Sequence, residues 1–542
     1  MRNASLLLLI LLVLAAPVAQ GHTAGQPPTP TLDADPSPLD QSMVADVATV
    51  AFGFMEPRTL EPIPVPQMAI WGLRCLTTLD PGLNATLQNG GKAPGTLSLT
   101  GPGAHVLMSR DAPEAEDIAG WGIAVGQTAR AAWDASPAVR RVGTEGMIRA
   151  FFDELFNHMD PYSRYAAPRE ADAERVRRAG AGGVGLTLAN VGGGFVVAAV
   201  QTGGPAAQGG VRAGEHILAV GGRSTQRDDL AGVTALLEGP EGTMVSITLR
   251  GRDGHLRTVD LQRVRIPPET VFAQRDGEML VLTISGFSRD TGARLAQELI
   301  RGLADPRPYH GVVLDLRDNR GGVLQQAVAS AAMLQSAGVV AVTAGRDPQA
   351  AHVFLADGRD LANALPVVVL VDGDSASAAE ILAASLADQR RAVVVGSATL
   401  GKGLVQTIAP LPDGGELLVT WSRVLAPLGW PIQGLGVLPQ VCTSLGQEVL
   451  GRQLTMLVRG VQPMQSILVR HRAARPPLTP AQMLDIRSAC PAASGRPADL
   501  GAARYLIDTP DAYRAALLKV PPASPAPSVT SQDLTPKAAV SN

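Results

Sequence analysis

Histidine and cysteine are scarce in this 542-residue chain, and neither sign of charge prevails. The 8 histidines are scattered without an H-x-x-x-H pair, and the 3 cysteines lack C-x-x-C spacing, so no metal-ligand motif is present. A net charge of -3, with no long Lys/Arg run, removes the electrostatic case for nucleic acid. Past Ala16, no apolar run approaches the roughly 20 residues that a membrane-spanning helix needs. Three cysteines allow one bridge in an oxidising compartment. The expected pair is Cys442 with Cys490, both late in the chain, which would tie an appendage to the core and leave Cys75 free.

Hydrophobic residues make up 46% and charged residues 18%, enough for a large core, and the length implies about three or four domains. The 58 Gly and 42 Pro point to many turns. Arg2, the apolar run Leu6–Ala16 and the small residues of PVAQGHTA read as a signal peptide, cut after Gly21 with Ala19 at -3, or after Ala24. The alternative is a retained membrane anchor. The expected location is outside the cytoplasm, periplasmic or extracellular.

Residues 22–40 read as a flexible leader. Residues 41–165 show helical spacing at Met43–Phe54, Gln67–Thr78, Gly120–Ala135 and Thr144–Met159, interrupted by a hairpin at Gly95–Met108, and end at the break DPYSRY (Asp160–Tyr165). Residues 168–265 hold short β-like runs with one good helix near Asp228–Leu237. Residues 266–445 alternate strand and helix, which implies a layered α/β domain. Residues 446–518 read as helical, and 519–542 as a disordered Pro/Ser/Ala/Thr tail.

Within Leu370–Arg390 (LVDGDSASAAEILAASLADQR) an apolar strand turns into a helix. Such turns expose a side chain beside helix N-terminal amides, a setting that suits a nucleophile. Ser375 and Ser377 compete for the role: Gly373-Asp374-Ser375 nearly matches G-x-S-x-G, and either serine would also serve as a helix N-cap. Farther on, GSATLGKGLVQT (Gly396–Thr407) sets Lys402 between two glycines ahead of a strand. Lys402 and Gln406 share a strand face, while Ser377, Glu380 and Asp388 share a helix face. A lysine can take a serine proton once burial disfavours its charge, and Gln406 could orient the neutral amine. Gly396–Lys402 also matches G-x-x-x-x-G-K, but a phosphate loop requires a following helix where a strand is expected. In VVLDLRDNRGGVLQQAV (Val312–Val328), Gly321 and Gly322 let backbone amides approach a substrate, and the amide of Ala378 is the natural second oxyanion donor.

The run from Gly373 to Gln406 resembles the carboxyl-terminal processing (tail-specific) protease family. There the nucleophilic serine lies 25 residues before the lysine and a glutamine four after it, which selects Ser377 over Ser375. DLRDNRGG resembles the family's DLRxNPGG, with Arg320 in place of Pro, and Ala379 stands where the family has Ser. GGVGLTL (Gly182–Leu188) and GPAAQGGVRAGEHILAVGGRS (Gly204–Ser224) resemble a PDZ domain, with Val184, Gly185 and Leu186 as its carboxylate-binding loop. DPYSRY resembles DPxSxY.

The resemblance implies a multidomain α/β chain: a ClpP/crotonase-like protease core with an inserted PDZ domain, flanked by helical terminal regions. It implies a serine endopeptidase with Ser377, Lys402 and Gln406 as catalytic residues, Glu380 and Asp388 as supporting acids, and no cofactor or metal. Partners would be proteins with apolar C-termini, and a homo-oligomer or adaptor is plausible through the terminal regions. A catalytically silent PDZ scaffold and a crotonase-like acyl-CoA enzyme are the rivals.

Overall fold

The computed structural model describes residues 38–88, 95–201 and 203–519, and the compact unit considered below begins at Leu39. The expected signal peptide, most of the leader and nearly all of the expected disordered tail lie outside these residues. No helix among the described residues is long and apolar enough to cross a membrane.

The first five α-helices among the described residues are Gln41–Met55, Val65–Leu73, Cys75–Leu79, Ile118–Ala135 and Pro137–Phe156. Asp40 caps the first by accepting from Met43 N at 2.9 Å. Gly122 and Gly126 let the fourth helix close on the first. A Cβ at Gly122 would stand 2.7 Å from the Ala45 carbonyl, and one at Gly126 2.8 Å from that of Gln41. The expected hairpin is part of a three-stranded antiparallel sheet, Asn84–Gln88, Thr96–Thr100 and Val106–Asp111. Cys75 is buried and free, its thiol pushed up by burial.

The β-rich module is a twisted sheet running Leu256–Gln262, Met244–Arg250, His216–Val220, Gly194–Val200, Leu186–Val191, with the helix Leu230–Leu237 over it. Phe195, Ile217, Val233, Ile247 and Leu249 fill its core. The strands Ala181–Gly183 and Val264–Ile266 pair antiparallel, so the module leaves and rejoins the chain at one place. That is the geometry of an insertion.

The central sheet runs Val271–Asp276, Met279–Ile284, Gly311–Asp315, Val367–Val371, Val393–Gly396, Val441–Cys442. Its first pair is antiparallel and the remaining four junctions are parallel. Strands buried on both faces carry apolar residues without alternation, as in Val367–Val371, buried throughout. Val312, Leu314, Val367 and Val369 meet the helices Thr291–Leu303, Leu324–Ala332 and Ala378–Asp388 on one face. Val313, Val368 and Leu370 meet Leu506, Ile507 and Ala512 on the other. The C-terminal helices therefore form the third layer of the sandwich. A second, antiparallel sheet stands beside it: His352–Ala356, Gly338–Ala344, Glu416–Leu425 and Leu404–Pro410, with Arg164–Ala166 paired to Glu416–Leu425.

Cys442 and Cys490 are joined by a disulfide across 48 residues. Closing a loop of that length stabilises by roughly 3–5 kcal/mol in the chain-entropy model. The segment after Cys490 lies against both loops of the candidate site. Ala493 O accepts from Gly373 N at 2.8 Å and from Ser397 Oγ at 2.9 Å, and Gly495 N donates to Asp372 at 3.0 Å.

Candidate active site

Ser377 sits at the N-terminus of the helix Ala378–Asp388 with φ 57° and ψ -114°, a region L residues rarely occupy. The neighbourhood holds it there. Ala376 N donates to Asn319 O at 2.9 Å and Leu400 N to Ser375 O at 3.0 Å. A Cβ on Gly321 would come within 2.8 Å of Ser377 Cβ, so only glycine fits against the turn. Ser375, the rival, is buried, and its Oγ donates to Leu316 O at 2.8 Å while accepting from Asp372 N at 3.0 Å. Its hydroxyl is spent on holding the turn, whereas Ser377 lines the cleft.

That cleft has a volume of about 1400 Å³ and brings together Ser377, Lys402, Gln406, Gly321 and Gly322. Phe287, Val323, Phe354, Leu404 and Trp421 give it apolar walls. Lys402 precedes the strand Leu404–Pro410, and a bulge falls between Val405 and Gln406. Simple alternation along a strand is thus not what brings Lys402 and Gln406 together. Burial and the charge of Arg164 hold the Lys402 ammonium below the usual lysine range, against the pull of Glu174, Asp160 and Glu380. Its Nζ lies 4.8 Å from the centre of the Tyr162 ring and makes no hydrogen bond to Ser377 Oγ.

Glu380 links the two loops. Its fully buried carboxylate accepts from Ser377 N at 2.8 Å, Gly401 N at 2.7 Å, Lys402 N at 2.8 Å and the Thr399 hydroxyl. Burial pushes its pKa up, while these donors pull it back. Replacing Glu380 by Ala strands four donors, and the expected cost is roughly 2–4 kcal/mol, read from the urea midpoint. Loss under 0.5 kcal/mol would refute the bridging role.

Two expectations are corrected by the geometry. Asp388 does not reach the cleft: eight residues beyond Glu380, it lies about 12 Å farther along the helix, where it meets Arg472 Nε at 3.1 Å and Trp430 Nε1 at 2.8 Å. Gly321 N is taken, donating to Asn319 Oδ1 at 2.8 Å. The amides of Gly322 and Ala378 donate to none of the described residues, which leaves them as the candidate oxyanion pair.

In the β-rich module, Val184, Gly185 (φ 78°) and Leu186 line a cavity of about 570 Å³ with Thr234 and Leu237. Arg294 and Arg301, from the Thr291–Leu303 helix of the core, form its far wall. Residues that sequence reasoning left without a role are Tyr162, Arg164, Asn319, Thr399 and Thr420. Tyr162 and Arg164 lie in DPYSRY, Asn319 in DLRDNRGG and Thr399 in GSATLGKGLVQT, so motifs marked these four, and Thr420 had no such signal.

This arrangement defines a serine peptidase, and comparison with known proteins agrees. Residues 278–443 match peptidase family S41, and residues 196–251 match a PDZ domain. The carboxy-terminal-processing protease of Bartonella bacilliformis is 34% identical over 318 residues, covering 57% of this chain and 73% of that protein. The chloroplastic C-terminal processing peptidase of Tetradesmus obliquus is 34% identical over 344 residues, covering 60% and 72%. A solved photosystem II D1 C-terminal processing protease is 32% identical, with a TM-score of 0.32 over 58% of this chain and 85% of that one. The chain belongs to the carboxy-terminal-processing serine proteases of peptidase family S41.

Proposed function

We propose that this protease cuts exported proteins near their C-termini by a Ser-Lys acyl-enzyme mechanism. The PDZ groove around Val184, Gly185 and Leu186 takes up an apolar tail as an added strand and holds its carboxylate on backbone amides. Lys402 leaves the Tyr162 face and takes the Ser377 Oγ proton as Oγ bonds to the scissile carbonyl carbon. The oxyanion is held by the amides of Gly322 and Ala378. The tetrahedral intermediate collapses with departure of the amine, which receives the proton, and water then hydrolyses the ester. The observation that carries this reading is Ser377, at positive φ near the amides of Gly322 and Ala378, which donate to none of the described residues, in one cleft with a lysine whose charge burial disfavours. Export is supported by the Cys442–Cys490 disulfide, since such bonds persist in oxidising compartments. It is also supported by the signal-like N-terminus.

The test is incubation of the mature chain and Ser377→Ala with an unfolded protein ending in small apolar residues, with fragments identified by mass. Wild type is expected to release C-terminal fragments and Ser377→Ala none. Failure of wild type on several tails, with PDZ-binding peptide added, would hand the case to the silent scaffold.

A further inference from the structure

Asp160 stands at the break after the N-terminal helices, outside the segment 278–443 that matches the peptidase family. Its Oδ1 accepts from Tyr162 N at 3.0 Å, from Ser163 N at 3.1 Å and from Thr420 Oγ1 at 2.7 Å. Its Oδ2 accepts from Ser163 Oγ at 2.5 Å, and that Oγ accepts from Thr420 N at 2.9 Å. The turn is thus bound to one residue of the strand Glu416–Leu425 by both backbone and side chain. The chain of contacts goes on: Gln406 Nε2 lies 3.2 Å from Thr420 Oγ1 and 3.4 Å from Leu404 O.

Donor and acceptor rules fix the direction of every bond in this chain. A hydroxyl has one proton, and a carboxylate accepts only. Thr420 therefore spends its proton on Asp160 and offers Gln406 a lone pair. The Leu404 carbonyl also accepts only. Both neighbours of that Gln406 atom are acceptors, so it is the NH2 group, and both of its protons are engaged. The other amide atom, Oε1, is left as an acceptor on a side chain that lines the same cleft as Lys402.

We propose that Asp160, acting through Thr420, fixes the amide polarity of Gln406, so that Gln406 meets the Lys402 amine with an acceptor oxygen and not with its NH2 group. This rests on the reading of Ser377 and Lys402 given above. The chemical reason is economy of one lone pair. A neutral amine acts as base through the single lone pair that must face Ser377 Oγ–H. An oxygen beside it takes an amine N–H and turns the lone pair towards the serine. An NH2 group in its place would donate to that lone pair and occupy it. When the serine proton has moved to Nζ as the Oγ–C bond forms, the same oxygen accepts from the ammonium. Asp160 is on this account a positioning residue, and its carboxylate also supports Ser163, which holds the strand.

Thr420→Val is the decisive variant, because it removes the hydroxyl without changing any charge near Lys402. The groups facing that lysine are the Tyr162 ring, Arg164, Glu174, Asp160 and Glu380. Asp160→Asn changes one of them and shifts the pH profile for that reason as well. In the peptide cleavage assay on the mature chain, Thr420→Val is expected to lower kcat roughly ten- to a hundredfold, with KM within about twofold. Thr420→Ser should restore kcat. Asp160→Asn/Thr420→Val should be no slower than the slower single variant. Wild-type kcat in Thr420→Val overturns the proposal, as do losses that multiply in the double variant. If Val disturbs folding by thermal melt, Thr420→Ala against Thr420→Ser gives the same comparison with less bulk. Ser377→Ala runs alongside. Activity surviving in it refutes the underlying reading, whereas an inactive Ser377→Ala beside a fully active Thr420→Val refutes this inference alone.

Discussion

Lys402→Met is expected to lower cleavage roughly 10⁴-fold or more, and to alter the pH dependence of stability with a sign set by burial. The loss of activity follows from removing the proposed base. Methionine keeps much of the side-chain volume and takes away the amine. For the wild type, kcat/KM should rise with pH as the amine loses its proton, with a midpoint below the ordinary lysine value of 10.5. Burial is the first cause of that depression and Arg164 the second, while the Tyr162 face and nearby carboxylates favour the ammonium. Stability follows by linkage. Between the lowered folded value and 10.5, the unfolded chain binds more protons than the folded one, so stability rises with pH. The stability of wild type minus that of Lys402→Met should therefore climb through this window and level off above it, as read from urea midpoints at stepped pH. A flat difference would show that burial does not tax the lysine, and a rate near wild type would remove it from the reaction.

The candidate site was legible where sequence spacing reflects covalent reach. Ser377 and Lys402 lie at the ends of a strand–turn–helix unit and its successor, and parallel strands place successive turns at the same sheet edge. The helices Gln41–Met55 and Ile118–Ala135 match the helical spacing read at Met43–Phe54 and Gly120–Ala135, because apolar residues recur along one face of each. Less was visible wherever partners are distant in sequence. His352–Ala356 (HVFLA) and Gly338–Ala344 (GVVAVTA) are short apolar runs, and they are placed as strands by pairing with each other and, for Gly338–Ala344, with Glu416–Leu425. The helical wheel put Asp388 on one face with Glu380, but a wheel discards the rise along the axis, and that rise takes Asp388 out of the cleft. The Gly-Gly pair could not show which amide Asn319 would occupy. The Asp160–Thr420–Gln406 chain spans 260 residues at its longest link, beyond any local pattern.

The C-terminal region gains its meaning from the same three-layer logic. Alternate residues of Gly311–Asp315 and Val367–Val371 point to opposite faces, so a core with helices on one face only would leave Val313, Val368 and Leu370 in water. The last helices cover them. Arg487, from the helix Pro480–Arg487, also donates to Thr399 O at 2.8 Å, next to the residue whose hydroxyl binds Glu380. The added region therefore completes the core and supports the loop that carries Lys402.

Besides the disulfide, that region is tied to the core by the ion pair Asp388–Arg472, 3.1 Å apart with both side chains fully buried. Burial pushes the Asp388 carboxyl up and the Arg472 guanidinium down in pKa, each against the attraction of the other. Trp430 Nε1 and Leu428 N complete the carboxylate's donors. Arg472 Nη1 donates to His471 Nδ1 at 3.1 Å, and since His471 Nε2 lies 2.8 Å from the Gly436 carbonyl, the imidazole is the neutral Nε2–H form. Arg472→Met is expected to cost about 3–5 kcal/mol, because the Asp388 carboxylate would remain buried without a counter-charge. Asp388→Leu should cost as much, for the converse reason. The double variant Asp388→Leu/Arg472→Met should recover most of the loss, since it removes both charges together. Equilibrium urea unfolding of the four proteins closes the cycle, and additive losses in the double variant would refute the pairing. His471 adds a second check. Burial and Arg472 hold its pKa well below 6.5, so its contribution is present above 6.5 and falls away as pH drops beneath it, where the unfolded chain takes up the proton first. Arg472→Met relieves part of that depression. The fall in stability below pH 6.5 should accordingly be shallower in the variant than in the wild type.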